Sequence, residues 1–234
     1  KASPEKHAEY GFDLSKLIPS TKHNVNQMWR ALAKIIKDMQ NKHLKSLISS
    51  IYKENADVIK QHPASMKLHH AWLGGFLEHV LSMAKLGVHL GKHYDVDGDL
   101  LLTGILLHDI GKIVELNPAQ QPGYTDEGQL LGHIVLGRDI ARDAISQIDD
   151  FPKELQLKVE HMILSHQGKY EWQSPKRPKF KEALLLHHID ELDARMNMME
   201  EVLEKDGEPG AWTNRFNYFR IPLLKGDLED DEDV

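Results

Sequence analysis

The chain has 234 residues, of which 41% are apolar and 28% are charged, and it contains no cysteine. A chain of this length buries a core without disulfide bonds. The lack of thiols excludes disulfide frameworks, thiolate zinc sites and cysteine nucleophiles, so any metal ion needs nitrogen and oxygen ligands. No apolar stretch approaches the roughly 18 residues of a membrane-spanning helix. We expect a cytoplasmic protein that makes no contact with a membrane.

The formal charge is −7, and much of it comes from the C-terminal end. Six acidic residues lie within the last nine positions: Asp227, Glu229, Asp230, Asp231, Glu232 and Asp233. The rest of the chain is close to neutral, so no overall basic field indicates nucleic-acid binding. We divide the chain into a lead-in or linker over residues 1–22, a main domain over residues 23–205, and a C-terminal extension with an acidic tail over residues 206–234.

Apolar residues in the first half of the main domain recur at three- and four-residue intervals, which predicts helices. One or two helices are expected from Val25 to about Tyr52. Another is expected from Leu68 to about His93, where the pair Gly74-Gly75 allows close helix approach or marks a kink. A short apolar helix from Leu100 to about Ile113 would begin at Asp97 or Asp99.

The same helical spacing continues in the second half of the main domain. It predicts helices over residues 129–148, 152–166 and 181–205. The segment 168–178 contains too much glycine and proline for a helix, so we predict a structured loop or lid there. No convincing alternation typical of a strand is present, and the predicted fold class is all-α.

Six polar residues stand on or at the end of these apolar helices: His79, His108, Asp109, His133, His166 and Asp190. Buried imidazoles and carboxylates need partners, and one cation at a shared point serves several of them. His108 and Asp109 would point about 100° apart on a helix, within reach of one ion, and His79 and Asp190 would complete the set. Other histidines on apolar faces are interpreted as hydrogen-bonded core residues: His43, His62, His89, His93, His161 and His187.

Asp109 and Lys112 are our candidates for a catalytic role. A carboxylate and an ammonium at the end of an apolar helix have no packing purpose. A lysine close to phosphate offsets charge that grows in a transition state, and a metal ion makes hydroxide available near neutral pH. These features predict the hydrolysis of a phosphoester.

The pattern resembles the HD-domain metal-dependent phosphohydrolases, whose signature is a histidine, a His-Asp doublet and a distal aspartate. Here these are His79, His108-Asp109 and Asp190. The chain is similar to the YhaM-like branch of this superfamily, the bacterial 3′-to-5′ exoribonucleases, over roughly residues 25 to 200. The segments that carry the resemblance are residues 69–79, 104–116, 132–133, 163–168, 174–175 and 186–195.

The resemblance implies that residues 23–205 form an all-helical HD-domain bundle around a metal site with one or two divalent cations. Manganese is favoured, and Fe²⁺, Mg²⁺, Zn²⁺, Ni²⁺ or Co²⁺ are alternatives. The first ion would be held by His79, His108, Asp109 and Asp190. Asp109 would bridge to a second ion held by His133 and His166.

Gln167 departs from the pattern, because the branch commonly has a second histidine there. An amide oxygen is a poorer ligand than imidazole for Mn²⁺, Fe²⁺ or Zn²⁺. The resemblance therefore leaves open whether one or two ions bind, and we assign Gln167 a supporting place beside the ligands. Asp193, three residues beyond Asp190, is expected to hydrogen-bond a metal-binding histidine.

Five residues are candidates for substrate contact: His69, His70, Arg138, Trp172 and Lys176. His69 and His70 would meet phosphate, although helix capping or support of a ligand explains them equally well. Arg138 would neutralise a substrate oxygen, unless it belongs to an ordinary charged face. Trp172 and Lys176 belong to a basic and aromatic strip that would stack a base and contact phosphate, and a solvated loop is the alternative.

These observations predict a metal-dependent phosphodiesterase or 3′-to-5′ exonuclease acting on ends of single-stranded RNA or DNA. The related exonucleases resemble a fusion of an OB-type domain to the HD domain, and residues 1–22 are too short to supply it. Either that domain has been removed or the substrate is smaller, and the second case favours, as alternative, a small-molecule nucleotidase or cyclic-nucleotide phosphodiesterase. A non-catalytic nucleotide-sensing or interaction module and a di-iron oxygenase are further alternatives. The expected partner is single-stranded nucleic acid or a nucleotide, and a homo-oligomer stays open.

Overall fold

The computed structural model of the chain describes residues 19–65, 70–117 and 123–226. Within these ranges the chain is mainly helical, and the predicted all-α class is confirmed. The helices are α1 Val25–Asp38, α2 Lys42–Glu54, α3 Ala56–Gln61, α4 Gly75–His93, α5 Gly98–Leu107, α6 Lys112–Glu115, α7 Asp126–Ser146, α8 Lys153–Ser165 and α9 Lys181–Lys205. Two short strands, β1 Leu116–Asn117 and β2 Gly123–Tyr124, pair antiparallel.

The first predicted helical region forms two helices because a second N-cap interrupts it. The side chain of Asn24 accepts a hydrogen bond from the backbone N–H of Gln27 at the start of α1. Asn41 accepts from the N–H groups of His43 and Leu44 at the start of α2. Each cap satisfies N–H groups that have no partner inside the helix.

Helix α5 is the centre of the core. Every residue from Leu100 to Leu107 is buried, which is typical of a helix surrounded by other elements on all sides. It packs against α2, α4, α8 and α9. The carboxylate of Asp97 caps it by accepting from the N–H of Leu100 at 3.0 Å, which decides between the two predicted caps. The residue that follows α5 is His108, so the core helix delivers the first half of the His-Asp doublet.

Two predicted helix boundaries are wrong. The helix expected from Leu68 begins at Gly75, because Gly74 has a left-handed backbone with φ of 80°. The helix expected to run from Leu100 to about Ile113 ends at Leu107. A tight turn follows, in which the N–H of Ile110 donates to Leu107 O at 3.2 Å, and α6 starts only at Lys112.

The loop over residues 168–178 is structured, as predicted. It contains a 3₁₀ turn at Tyr170–Trp172. The N–H of Lys176 donates to Leu164 O at 3.1 Å and the Ser174 hydroxyl to Lys176 O at 2.6 Å, which ties the loop to the end of α8. After α9, residues 206–226 form a non-helical segment in which Trp212 and Leu224 make an isolated antiparallel bridge. Among the described residues no helix is both long and apolar enough to cross a membrane.

Candidate metal centre

The polar residues predicted to share a cation come together in the structure. His79 lies on α4, His108 and Asp109 in the turn after α5, and His133 on α7. His166 follows the last residue of α8, and Asp190 lies on α9. Five segments, distant along the chain, thus place imidazoles and carboxylates around one point of the core.

The first group of ligand atoms belongs to His79, His108 and Asp190. Asp190 Oδ1 lies 3.3 Å from His79 Nε2 and 3.7 Å from His108 Nε2. The three ligand atoms are all within 4.8 Å of one another, and both imidazoles are fully buried. This spacing suits an ion between them, because ligand atoms about 2.1 Å from a tetrahedral ion lie about 3.4 Å apart.

The second group consists of Asp109, His133 and His166. Asp109 Oδ1 lies 3.4 Å from His133 Nε2 and 3.6 Å from His166 Nε2. Asp109 Oδ2 lies 3.3 Å from His108 Nε2, in the first group. The two oxygens of one carboxylate therefore face the two groups, which is the geometry of a bridging ligand.

The histidines present Nε2 because their Nδ1 atoms are already engaged. His108 Nδ1 lies 2.8 Å from Ile105 O, and His166 Nδ1 lies 2.8 Å from Ile163 O. A carbonyl oxygen can only accept, so each Nδ1 donates to its carbonyl, and Nε2 is the ring atom left to face an ion. His79 Nδ1 is held by Asp193 Oδ2 at 2.8 Å, the supporting role predicted for Asp193.

Glu115 fixes the fourth imidazole. Its Oε1 accepts from the backbone N–H of His133 at 2.9 Å and lies 3.1 Å from His133 Nδ1. The residue before His133 is Gly132, whose φ of 72° and ψ of 158° interrupt α7. Only glycine adopts this backbone readily. The interruption starts a new helical segment at His133, which the sequence pattern predicted as part of a continuous helix.

Burial and charge set the protonation of these groups. Burial alone would raise the pKa of Asp109, but the charges of Lys112 and His108 outweigh it and hold that pKa well below its usual range. Burial likewise opposes ionisation of Asp190, and the charge of His108 with the hydrogen bond from His79 lowers its pKa. Both carboxylates are therefore anionic at neutral pH.

The two histidines with large shifts differ in direction. Burial lowers the pKa of His166 to about 4, helped by the nearby charge of His108, so its imidazole is neutral at pH 7. For His79 burial acts in the same direction, but Asp190 and Asp193 on its two sides outweigh it and raise the pKa to about 9. Without a cation, His79 itself is the positive partner of the two carboxylates.

Three buried atoms of the two groups have no hydrogen-bond partner among the described residues: His108 Nε2, Asp109 Oδ1 and His133 Nε2. Buried polar atoms without partners are costly. Here two of these atoms belong to the turn after α5 and the third to α7, and the three face the same two points. A nitrogen- and oxygen-ligated divalent cation at each point would satisfy them, so the residues present fit the metal ions that the sequence predicts.

Lys112 and Gln167 stand next to these groups. Lys112 Nζ lies 2.5 Å from Asp109 Oδ2, and Asp109 raises the lysine pKa although burial opposes it. The amide end of Gln167 lies 3.3 Å from His166 Nε2. Gln167 is thus in contact with His166, a candidate ligand of the second group, and its supporting role stays a prediction.

A pocket of about 300 Å³ opens onto the centre. Its lining includes four residues of the centre or next to it, Asp109, Lys112, His166 and Asp190. The rest of its lining consists of Gln167, Trp172, His187, Glu191, Ala194, Arg195, Met198 and Tyr218. The volume is at the lower end of small-ligand pockets, about 300 to 1,000 Å³.

The residues predicted to contact substrate differ in whether they line this pocket. Trp172 lines this pocket. His70 is buried behind His79, with Nε2 3.3 Å from Asp193 Oδ2, which fits the alternative that it supports a ligand. Arg138 pairs with Asp139 at 3.0 Å and, like the exposed Lys176, does not line the pocket. His69 lies outside the described residues.

Three residues at the centre were not predicted to take part. Glu115 lies in the segment that carried the resemblance, but nothing in its spacing indicates a partner 18 residues later. His187 was interpreted as a core histidine. It is buried and hydrogen-bonded, with Nδ1 2.9 Å from His166 O, yet it also lines the pocket. Tyr218 belongs to the C-terminal extension and carries no signal in the sequence.

A family model described as "HD domain" matches residues 76–195, just over half of the chain and the range that contains His79 through Asp190. The chain belongs to the HD-domain family. A second model, described as "Putative helicase", matches residues 19–97, which contain only one of the candidate ligands. No solved structure matches the chain.

Several curated proteins resemble this HD-domain chain over most of its length. The protein named 3′-5′ exoribonuclease YhaM from Bacillus subtilis is 40% identical over 193 residues, which is 81% of this chain and 60% of the relative. The protein of the same name from Bacillus licheniformis is 42% identical over the same shares. That from Shouchella clausii is 38% identical over 88% of this chain and 64% of its own length. The chain thus spans less than two thirds of these relatives.

Proposed function

We propose that the chain is a metal-dependent phosphodiesterase that removes nucleotides from the 3′ end of single-stranded nucleic acid. The observation that carries the proposal is the bridging position of Asp109 between the two groups, 3.3 Å from His108 Nε2 and 3.4 Å from His133 Nε2. The exoribonuclease name of the relatives supports RNA as the substrate. A cytoplasmic location belongs to the same proposal.

The residues would hold divalent cations as two sets joined through Asp109. His79, His108 and Asp190 would hold one ion, and His133 and His166 the other, with manganese favoured by the resemblance to the YhaM-like branch. Such ions polarise phosphate oxygens and lower the pKa of water. No thiolate is available in the chain, which is consistent with ions of this kind.

The chain's own groups would act on the phosphodiester as follows. The ammonium group of Lys112 holds the Asp109 carboxylate in place and keeps it anionic. Lys112 lines the pocket, where its positive charge would offset negative charge that grows on the phosphate. Water attacks the terminal phosphorus and the bond from phosphorus to the 3′ oxygen of the preceding nucleotide breaks. A 5′-mononucleotide and a shortened strand with a 3′ hydroxyl result.

The test uses a short single-stranded RNA labelled at its 5′ end, incubated with the full chain and Mn²⁺. We expect a ladder of labelled products that shorten from the 3′ end, together with free 5′-mononucleotides. Asp109→Asn keeps the shape of the side chain and should lower the rate by about 10³-fold or more, since it removes the bridging charge. Asp139→Asn, a matched change on the surface of α7, should leave the ladder unchanged. Intact RNA in the presence of bound Mn²⁺ would contradict the proposal.

A small-molecule nucleotidase or cyclic-nucleotide phosphodiesterase is the second candidate, and the size of the pocket favours it. A volume of about 300 Å³ suits one nucleotide rather than a strand. A panel of mononucleotides and cyclic nucleotides under the same conditions separates the candidates. The smaller substrate would be favoured if phosphate release from mononucleotides, or the opening of a cyclic diester, is faster than the shortening of RNA.

A further inference from the structure

Two exposed aromatic side chains from different segments line the pocket of the metal centre. Trp172, on the loop between α8 and α9, is 38% exposed, and Tyr218, in the C-terminal extension, is 54% exposed. Tyr218 lies outside residues 76–195, the range that matches the HD domain. The extension therefore adds an aromatic group to a pocket whose other lining residues lie between Asp109 and Met198.

The segment that carries Tyr218 is held in a defined shape by its own hydrogen bonds. Its two ends are joined by the ion pair of Asp206 and Lys225 at 2.8 Å and by the bond from Thr213 N to Leu223 O at 2.9 Å. Within it, the side-chain amide of Asn217 donates to the carbonyl oxygens of Asn214 and Ile221, both at 2.7 Å. Tyr218 follows this cross-linked residue directly, so its backbone has a defined place within the segment, and its side chain lines the pocket.

The same pocket combines polar residues of the metal centre with exposed aromatic residues. Asp109, Lys112 and His166 belong to the metal centre, where a phosphate would be bound. Trp172 and Tyr218 are exposed members of the same lining. A terminal nucleotide has matching groups, a phosphate on one side of the sugar and a flat base on the other. The pocket volume of about 300 Å³ suits one such unit.

Positive groups accompany the aromatic pair. Lys169 Nζ lies 4.0 Å from the centre of the Trp172 ring, a cation–π contact. Arg195 lines the pocket and is held by Glu191 at 2.8 Å. Aromatic rings beside cations are the usual surface for single-stranded nucleic acid, because rings stack on bases and cations contact the backbone.

From these observations we propose that Tyr218 and Trp172 form a stacking site for the 3′-terminal base of a single-stranded nucleic acid. The proposal rests on the proposed function and assigns the C-terminal extension a part in it. Stacking uses the face of the base, which all bases share, so the site accepts any base but requires one. A terminal residue without a base would lose the contact.

The experiment compares two oligonucleotides of about eight nucleotides, labelled at the 5′ end with fluorescein. One has a normal 3′-terminal residue and the other ends in an abasic sugar. Binding to the full chain is measured by fluorescence anisotropy with Mn²⁺ present, using versions of both oligonucleotides whose 3′-terminal linkage is a phosphorothioate that resists hydrolysis. We expect the normal end to bind at least about fivefold more tightly, as removal of one stacked base predicts. The rate constant kcat/KM with Mn²⁺ is then measured for both unmodified oligonucleotides.

Variants of Tyr218 test whether the preference for a 3′-terminal base depends on its aromatic ring. Tyr218→Ala should remove most of the difference between the two oligonucleotides, and Tyr218→Phe should keep it because the ring remains. Phe216→Ala is the matched control: the residue lies in the same segment, is 86% exposed and does not line the pocket. It should keep the full difference.

The outcomes separate this proposal from the proposed function. Equal binding of both ends, no binding of either, or an unchanged preference in Tyr218→Ala would overturn the stacking site. If the preference is present but neither oligonucleotide is shortened with Mn²⁺, the stacking site stands and exonuclease activity is rejected. If both are shortened at equal rates and bind equally, the activity stands and the stacking site is rejected.

Discussion

Asp193 Oδ2 lies 2.8 Å from His79 Nδ1, while Nε2 on the other side of the same ring lies 3.3 Å from Asp190 Oδ1. The two aspartates are three residues apart on α9, so one helical turn supplies both a ligand and the group that orients a ligand. The Ser82 hydroxyl donates to Asp193 Oδ1, and His70 Nε2 lies 3.3 Å from Oδ2. Ser82 and His70 therefore hold the Asp193 carboxylate in place, and the carboxylate in turn orients the His79 ring.

We predict that Asp193→Asn weakens metal binding without unfolding the protein. The amide keeps the size of the side chain but removes the charge that orients His79 Nδ1, and changes of this kind typically cost 10- to 100-fold in metal affinity. Titration of the metal-free protein with Mn²⁺ measures the loss. Asp139→Asn serves as the exposed control. An unchanged affinity with unchanged helix content would show that Asp193 does not orient His79.

The sequence predicts those parts of the centre that depend on spacing within one element. His108 and Asp109 are neighbours in the chain, so they share a position although a turn replaces the predicted helix there. Asp193 follows Asp190 by one turn of α9, so the position of this pair can be deduced from helix geometry. The convergence of His79, His133 and His166 on the same point cannot be deduced from spacing. It was expected because of the resemblance to the HD-domain pattern.

The features that the sequence did not predict depend on contacts between distant backbone segments. Helix α5 ends early, and Gly132 interrupts α7, where the chain after α5 passes close to His133. Propensity and periodicity describe local preferences and contain no information on such a contact. Glu115 and Tyr218 were missed for the same reason, because the groups they face lie far along the chain.

We predict that metal binding by the first group becomes tighter as the pH rises. In the metal-free protein the pKa of His79 is about 9, above its ordinary value, so at pH 7 a cation must displace a proton from Nε2. The apparent affinity should rise by up to about tenfold per pH unit below pH 9 and about one proton should be released per ion. The pKa of His166 is about 4, so the His166 imidazole is already neutral and releases no proton. Calorimetric titration in two buffers with different ionisation enthalpies counts the protons. An affinity that is flat between pH 6 and 8 would contradict this.

We predict that Gln167→His strengthens the second metal position. The amide of Gln167 lies 3.3 Å from His166 Nε2, so an imidazole there would add a nitrogen ligand next to an existing one. Imidazole is the better ligand for Mn²⁺, Fe²⁺ and Zn²⁺, and we expect the second ion to bind about tenfold more tightly. Metal analysis after dialysis against limiting Mn²⁺ gives the number of ions per chain. Gln167→Ala is the control and should show no gain. An equal gain in the control would mean that removal of the amide, rather than the new ligand, is responsible.

We predict that Gly111→Ala damages the centre through the backbone. A Cβ at Gly111 would lie 2.0 Å from His133 O and 2.5 Å from Gly137 N, so the turn after α5 would have to move away from α7. Both sides of this contact carry candidate ligands, Asp109 on one and His133 on the other. Overpacking of this kind typically lowers the free energy of unfolding by about 1 to 3 kcal/mol. We expect a lower Tm and weaker binding of the second ion. Gly98→Ala, at a position where a Cβ meets nothing within 4 Å, should leave both unchanged. A Gly111→Ala protein with normal Tm and normal metal content would show that the approach of these two segments is not what joins the two halves of the centre.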